Sequence, residues 1–142
     1  MHLPLIEPAR EADRAAIVAL WRACGLTRPW NDADADLALA LDSPGSTVLV
    51  ARAGEVVAGS IMVGFDGHRG WVYYLAVDPA ARRGGIGRSL MTAAEQWLAA
   101  RGCPKIQLMV RQDNEAALGF YQALGLEPQK VVTLGRFLEK AR

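Results

Sequence analysis

Cysteine is scarce in this sequence, and its scarcity argues against two classes of protein. Two of the 142 residues are cysteines, Cys24 and Cys103, which lie far apart with no CxxC spacing and no histidine beside them. A disulfide-stapled protein or a cysteine-based metal site needs more thiols at closer spacing. We therefore expect two free thiols in a reducing compartment and no metal, with a disulfide or metal pair as the alternative.

Long apolar runs and an excess of charge are also missing. No segment approaches the roughly 20 apolar residues of a membrane-spanning helix, and the N-terminus lacks the apolar core of a signal peptide. The chain has 16 Lys and Arg against 15 Asp and Glu, so its formal net charge of +1 creates no field that favours nucleic acid. We expect a cytoplasmic protein that binds neither a membrane nor nucleic acid.

The sequence does contain enough apolar material for a folded domain. Hydrophobic residues make up 51% of the chain, which argues against disorder. A chain of this length can bury a substantial core, and no repeat or linker divides it. We therefore predict a single domain spanning residues 1–142.

The hydrophobic periodicity predicts the element order β-α-α-β-β-β-α-β-α-β. Apolar residues recur every three or four positions between residues 11 and 41, which predicts two helices. The period then changes to two, and residues 47–52 and 56–65, joined by a turn, predict a β-hairpin. The next strand, 71–77, is nearly all apolar, which is typical of a strand covered on both faces. These elements predict an α/β domain with a mixed sheet.

The stretch 78–88 combines three glycines with three arginines between the last of these strands and a long helical pattern. Glycine adopts positive φ without steric cost, so consecutive N–H groups around Gly84, Gly85 and Gly87 can turn toward one point. A helix that begins there adds unpaired N–H groups and the positive end of its dipole. The sequence therefore predicts a binding site for a phosphate or a pyrophosphate.

Three phosphate-binding motifs have glycines at a spacing similar to that of this stretch. A P-loop needs lysine and then Ser or Thr after its last glycine, whereas Gly87 is followed by Arg88. A dinucleotide fingerprint needs a third glycine at the position of Leu90. The pattern Arg/Gln-x-x-Gly-x-Gly/Ala matches residues 82–87 in every defined position. A glycine-rich turn with solvated arginines is the remaining alternative, but a turn does not need all three glycines.

This third pattern resembles the coenzyme A pyrophosphate loop of the GNAT superfamily of N-acetyltransferases. The resemblance covers almost the whole chain, including the paired N-terminal helices, the hairpin, the strand exit Val77-Asp78-Pro79 and the segment 114–126. Three further segments look like the bacterial YpeA-type branch of that superfamily, namely 28–32, 66–70 and 101–105. The resemblance implies the GNAT (acyl-CoA N-acyltransferase) fold, with a mixed, mostly antiparallel central sheet and helices on both faces.

By this resemblance, the chain transfers acetyl from acetyl-CoA to a primary amine by direct attack in a ternary complex. The glycine backbone holds the pyrophosphate, the arginines supply charge, and pantetheine adds to a strand edge as a pseudo-strand. A backbone N–H on that edge polarises the thioester carbonyl. The implied cofactor-binding residues are Leu75, Ala76, Val77, Arg82, Arg83, Gly84, Gly85, Ile86, Gly87, Arg88 and Asn114.

Two residues near the C-terminus have an implied role and a structural alternative. Tyr121 matches the position where the superfamily commonly keeps a tyrosine as general acid, and a phenol with an ordinary pKa near 10 is protonated at neutral pH. The alternative is a tyrosine of the core. Asn114 is expected to contact pantetheine or the phosphates, and helix capping is its alternative.

The acceptor is left open by the sequence: a polyamine, an antibiotic-like amine, an amino acid or a protein amine all fit. We expect Trp30 as a pocket wall and Asp66 and His68 as further acceptor contacts, against a packed tryptophan and a solvated turn. Few residues follow Gly125, so the usual C-terminal hairpin is short or reduced to one strand, 131–138, and a partner subunit in a homodimer is one way to complete the site. The competing hypothesis is a non-catalytic acyl-CoA-binding regulatory module.

Overall fold

Five strands form one sheet in which spatial order equals chain order. The structure is a computed structural model that describes residues 4–139. The strands are β1 (Leu5–Pro8), β2 (Ser46–Ala53), β3 (Val56–Phe65), β4 (Gly70–Val77) and β5 (Ile106–Leu108). The first three pairings are antiparallel and β4 pairs with β5 in parallel. The predicted mixed, mostly antiparallel sheet is confirmed.

Four α-helices accompany the sheet in the described residues, together with single 3₁₀ turns at Glu11–Asp13 and Pro79–Ala81. The helices are α1 (Arg14–Ala23), α2 (Ala33–Asp42), α3 (Ile86–Ala99) and α4 (Glu115–Ala123). The chain forms two compact units, of which the first ends at Leu108 and the second begins at Met109. The assignment of the whole chain to one domain stays a prediction. No helix among residues 4–139 is long and apolar enough to cross a membrane.

Helices cover both faces of the sheet in the first unit. On β3, Ser60 accepts a hydrogen bond from Trp21 of α1, while the adjacent Gly59 lies against Ile86 and Leu90 of α3. Consecutive strand residues point to opposite faces, so α1 and α3 lie on opposite sides. The core under α1 and α2 includes Ile17, Trp21, Leu37, Val48 and Val50, and α3 buries Ile86, Leu90, Met91, Ala94 and Leu98.

The second unit contains α4 followed by an irregular segment. Residues 126–139 contain no helix or strand, and the apolar side chains of Val131, Leu134 and Leu138 are 73%, 90% and 98% exposed. The predicted strand 131–138 is therefore wrong. A strand needs a hydrogen-bonding partner, and the described residues of this segment pair with no other strand. Pro128 and Gly135 also disfavour strand formation.

Candidate active site

The edge of β4 that faces away from β3 is open over most of its length. β4 pairs with β5 only from Gly70 to Val72, so the outer side of residues 73–77 carries no strand within the described part of the chain. The N–H of Asp78 donates to the carbonyl of Ala58 at 2.8 Å. Since antiparallel pairs alternate, the N–H and C=O of Val77 point away from β3, toward the open edge.

A bulge interrupts β4 halfway along this edge. Ser60 pairs with Ala76 and Met62 pairs with Tyr73, so Tyr74 and Leu75 together oppose the single residue Ile61. Tyr74 has φ 52°, in the left-handed region that side-chain-bearing residues rarely adopt. Such a conformation costs about 1–3 kcal/mol and persists only where neighbouring contacts hold it.

The glycine-rich stretch forms a concave turn at the end of β4. Asp78 accepts the N–H of Ala80 at 2.9 Å and begins a 3₁₀ turn, and the backbone then takes positive φ at Arg83 (72°) and at Gly85 (82°). Gly85 is the N-cap of α3 and has no side chain to cap it, and no acidic residue lies in the first turn. Main-chain N–H groups at this helix start are therefore available to an anion.

The space over the turn suits a close ligand. A Cβ built on Gly84 would meet a single neighbour, the carbonyl oxygen of Ala81, at 3.6 Å, which is ordinary contact. The side chains of Arg83 and Arg88 are exposed. The residues present thus fit a pyrophosphate: N–H donors at the helix start, positive charge around them and no side chain filling the turn.

The side chain of Arg82 binds the main chain at the end of β4. Its Nε donates to the carbonyl oxygen of Val77 at 3.2 Å, and the thiol of Cys24 donates to the same oxygen at 3.3 Å. Cys24 is a free thiol, as is Cys103. The sequence did not indicate that Cys24, at the end of α1, would contact the strand exit, because the two residues are 53 positions apart.

The residues expected to bind the acceptor lie in two different loops, one between α1 and α2 and one before β4. Trp30 is 41% exposed in the loop between α1 and α2. Asp66 accepts the N–H groups of Arg69 and His68 at 2.7 and 2.8 Å, and these bonds hold the pKa of its carboxyl below the usual range. The turn that contains Asp66 and His68 lies just before β4, whereas the glycine-rich turn follows Val77 at the other end of the strand. The two turns are therefore roughly 20 Å apart, since a strand rises about 3.3 Å per residue. The structure does not bring Asp66 or His68 together with the glycine-rich turn.

Asn114 and Tyr121 belong to the second unit. Asn114 is the N-cap of α4, and its Oδ1 accepts the N–H of Ala117 at 3.0 Å, which confirms the capping alternative; its cofactor contact stays a prediction. Tyr121 is partly buried, packs edge-on against Phe120 and has a pKa raised by that burial. No group of three or more His, Cys, Asp or Glu residues within 4–139 is arranged to hold a metal ion.

A mixed, mostly antiparallel sheet with an open β4 edge, followed by a glycine-rich turn into a long helix, is the arrangement expected of the acyl-CoA-dependent acyltransferase class. Residues 14–126 match the acetyltransferase (GNAT) family, and the chain belongs to this family. It is an acetyltransferase with the GNAT fold. The predicted superfamily and enzyme class are confirmed, while the YpeA-type branch stays a prediction.

Two relatives and a solved structure are similar to this chain along nearly its full length. An acetyltransferase of Pectobacterium atrosepticum is 45% identical over 133 residues, covering 94% of each chain. An acetyltransferase of Yersinia enterocolitica is 42% identical over 129 residues, covering 91% of this chain and 92% of its own. Among solved structures, the aminoglycoside N-acetyltransferase AAC(6')-Iy in complex with a bisubstrate analogue matches with a TM-score of 0.81 at 20% identity, over 96% of this chain and 99% of that one. At that identity the match shows the shared fold.

Proposed function

We propose that this enzyme takes acetyl from acetyl-CoA and transfers it to a primary amine by direct attack in a ternary complex. The observation that carries the proposal is the continuity of the open β4 edge with the glycine-rich turn at the start of α3. An edge whose main-chain N–H groups are not used in strand pairing suits the amides of pantetheine, and the turn suits the pyrophosphate to which pantetheine is joined.

The donor contacts follow from this arrangement. Leu75, Ala76 and Val77 offer the edge, and the backbone from Gly84 to Gly87 offers N–H groups for the pyrophosphate. Arg83 and Arg88 are exposed and supply charge for the phosphates. Arg82 contributes its charge while its Nε remains on the carbonyl of Val77, which keeps the strand end beside the turn.

The chemistry needs one bond to form and one to break. The amine nitrogen, after losing a proton, attacks the thioester carbonyl carbon and forms the C–N bond. A main-chain N–H on the β4 edge stabilises the negative charge on the carbonyl oxygen. The C–S bond then breaks, and the departing thiolate takes a proton from Tyr121, which we propose as the general acid. The ammonium's first proton goes to solvent water before the attack, and the second proton, which the nitrogen loses as the amide forms, returns through water to the Tyr121 phenolate, so the step needs no dedicated base.

The acceptor remains to be found among amines. The solved neighbours include an enzyme named as an aminoglycoside N-acetyltransferase, so an aminoglycoside is one useful test compound beside a polyamine, amino acids and peptides. Trp30, Asp66 and His68 stay proposed acceptor contacts. The homodimer also stays a prediction, which light scattering after size exclusion tests.

The glycine-rich turn is tested by Gly87→Glu, which places a carboxylate where the pyrophosphate is expected. We expect acetyl-CoA affinity, measured by calorimetry, to fall by at least about a hundredfold because like charges meet at short range. Gly135→Glu is the matched control, since a side chain there meets nothing within 4 Å and its φ is not positive. Unchanged affinity of Gly87→Glu would contradict the donor site.

Turnover separates the enzyme from the competing regulatory module. Both hypotheses predict acetyl-CoA binding, but only an acetyltransferase releases free thiol in the presence of an amine. We expect thiol release with at least one acceptor class and mass gain of one acetyl group on that acceptor. Binding without release across the panel would favour the module.

A further inference from the structure

The bulge in β4 is held by side chains from two helices. The ring of Tyr74 stacks on the ring of Trp21 of α1, with centroids 3.9 Å apart and planes 8° from parallel. Its hydroxyl donates to Oδ2 of Asp36 of α2 at 2.9 Å. The strained residue of the bulge is therefore fixed at both its ring and its hydroxyl.

Trp21 also binds β3, the strand that pairs with β4 at the bulge. Its Nε1 donates to Oγ of Ser60 at 2.9 Å, and both residues are completely buried. Ser60 pairs with Ala76, the residue just beyond the bulge. One tryptophan thus contacts the bulged residue and the β3 residue that fixes where normal pairing resumes.

These contacts decide which main-chain groups reach the open edge. A tyrosine prefers extended φ in a strand, and nothing in its own chemistry favours 52°. If Tyr74 returned to extended backbone, the extra residue would be lost from the bulge and pairing would shift by one position. The N–H and C=O groups that now face the edge would then face β3.

We propose that Tyr74 is a positioning residue for acetyl transfer: its contacts with Trp21 and Asp36 fix the β4 bulge and so orient the main chain of residues 75–77 along the open edge. The inference rests on the proposed function, because that edge is where we place the donor's pantetheine and thioester. Asp36 lies on α2, the helix that follows the Trp30 loop. Its hydrogen bond with Tyr74 therefore connects this helix to the bulge beside the donor edge.

Amide hydrogen exchange tests the positioning without any substrate. Tyr74→Phe removes the hydroxyl bond to Asp36 and keeps the ring on Trp21. We expect the amide of Ala76, which pairs with Ser60 just beyond the bulge, to exchange about tenfold faster, as expected for the loss of one hydrogen bond to a charged group. Tyr73→Phe is the matched control, because Tyr73 precedes the bulge and is 43% exposed. Equal exchange in the wild type and Tyr74→Phe would overturn the inference.

Substitutions of Asp36 separate a hydrogen-bonding role from a role of its charge. Asp36→Ala should also speed exchange, and the effects of Asp36→Ala and Tyr74→Phe should be less than additive in the double variant, because both remove the bond between Tyr74 and Asp36. Asp36→Asn keeps an oxygen that accepts the hydroxyl and should restore exchange to within about threefold of wild type. Asp34→Asn, two residues away and exposed, is the control. Failure of Asp36→Asn to restore exchange would contradict positioning through this bond.

Kinetics connect the bulge to the reaction. We expect Tyr74→Phe and Asp36→Ala to lower kcat about tenfold and to change KM for acetyl-CoA less than about threefold, since an interaction that aligns the reacting group acts mainly on the transition state. If no amine is acetylated by the wild type while exchange still responds, the proposed function fails and the structural role stands. If turnover is found and neither kcat nor exchange changes, the inference fails and the proposed function stands.

Discussion

Burial sets the acid–base character of Tyr121. Partial burial in α4 raises the pKa of its phenol above the ordinary value near 10. A raised pKa keeps the proton on the oxygen throughout the physiological range, which suits a group that must donate it. It also makes the phenol a weaker acid, which lowers the driving force for proton transfer to the departing thiolate.

Tyr121→Phe tests this role. We expect kcat to fall about a hundredfold, within the usual range for losing a general acid, while acetyl-CoA affinity changes less than about threefold. The wild-type rate should also decline only above about pH 10, because the raised pKa moves loss of the proton to that side. The measurements are pH-dependent steady-state kinetics and calorimetry, with Tyr73→Phe as control. A variant with wild-type kcat would sink the assignment.

At the residue scale, conformations that depend on local chemistry were predictable from the sequence. The positive φ at Gly85 and the capping by Asn114 follow from residue types that the chain displays directly. The positive φ at Tyr74 does not, because a tyrosine in an apolar strand indicates an ordinary extended residue. It depends on Trp21 and Asp36, the latter 38 positions away, and no pattern within one element records such contacts.

At the scale of elements, Gly59 determines how closely α3 approaches the sheet. A Cβ there would lie 3.0 Å from the side chains of Ile86 and Leu90 and from the carbonyl oxygen of Ala76. Ile86 is also the first residue of α3, immediately after the glycine-rich turn. The distance between β3 and α3 therefore sets the position of the turn relative to the β4 edge.

Gly59→Ala should push this helix start away from the sheet. We expect a loss of about 1–3 kcal/mol in the free energy of unfolding, which is typical of overpacking a tight site. Chemical denaturation measures it, and weaker acetyl-CoA binding should accompany it. Gly64→Ala in the same strand is the control, because its new Cβ would meet Ser46 at an ordinary 3.4 Å. Equal stability of the two variants would contradict the role of Gly59.

Elements with strong periodicity were predictable, and pairing partners were not. The helix expected after the glycine-rich stretch is observed, beginning directly after Gly85. The strand expected at 131–138 is absent from the described residues because its apolar residues show only that the segment can extend, not that a neighbour is available to pair with it. The extent of the free β4 edge likewise depends on how short β5 is, which the sequence does not display.

At the scale of the whole molecule, one arginine ties the N-terminal strand to its neighbours. Arg52 of β2 donates to the carboxylates of Glu7 and Asp13. These hydrogen bonds lower the pKa of both carboxyl groups, and the pKa of Arg52 is raised in turn. The pairing thus joins β1, β2 and the turn before α1 through charges that depend on pH.

Low pH should lower the stability of the fold by protonating the carboxylates that bind Arg52. Groups with a lowered pKa stabilise the fold above their unfolded values, near 3.9 for Asp and 4.3 for Glu, and that stabilisation is lost as pH falls below them. We expect Tm to decline below about pH 4.5, with a shallower decline in Arg52→Gln, which also has a lower Tm at neutral pH. Arg101→Gln is the control, because Arg101 lies over Trp97 rather than beside a carboxylate. Parallel Tm curves for wild type and Arg52→Gln would contradict this account.

The identity of spatial and chain order in the sheet has a consequence for how the molecule assembles. Strands β2, β3 and β4 are joined by turns of a few residues, so their pairing closes short loops at little entropic cost. Adding β1 requires closing a loop over α1 and α2, and adding β5 requires closing one over α3. The three-stranded meander is therefore expected to form early, and the β4 edge belongs to it. The β4 edge that we propose to bind the donor would then form in the folding nucleus, before β5 pairs with part of it.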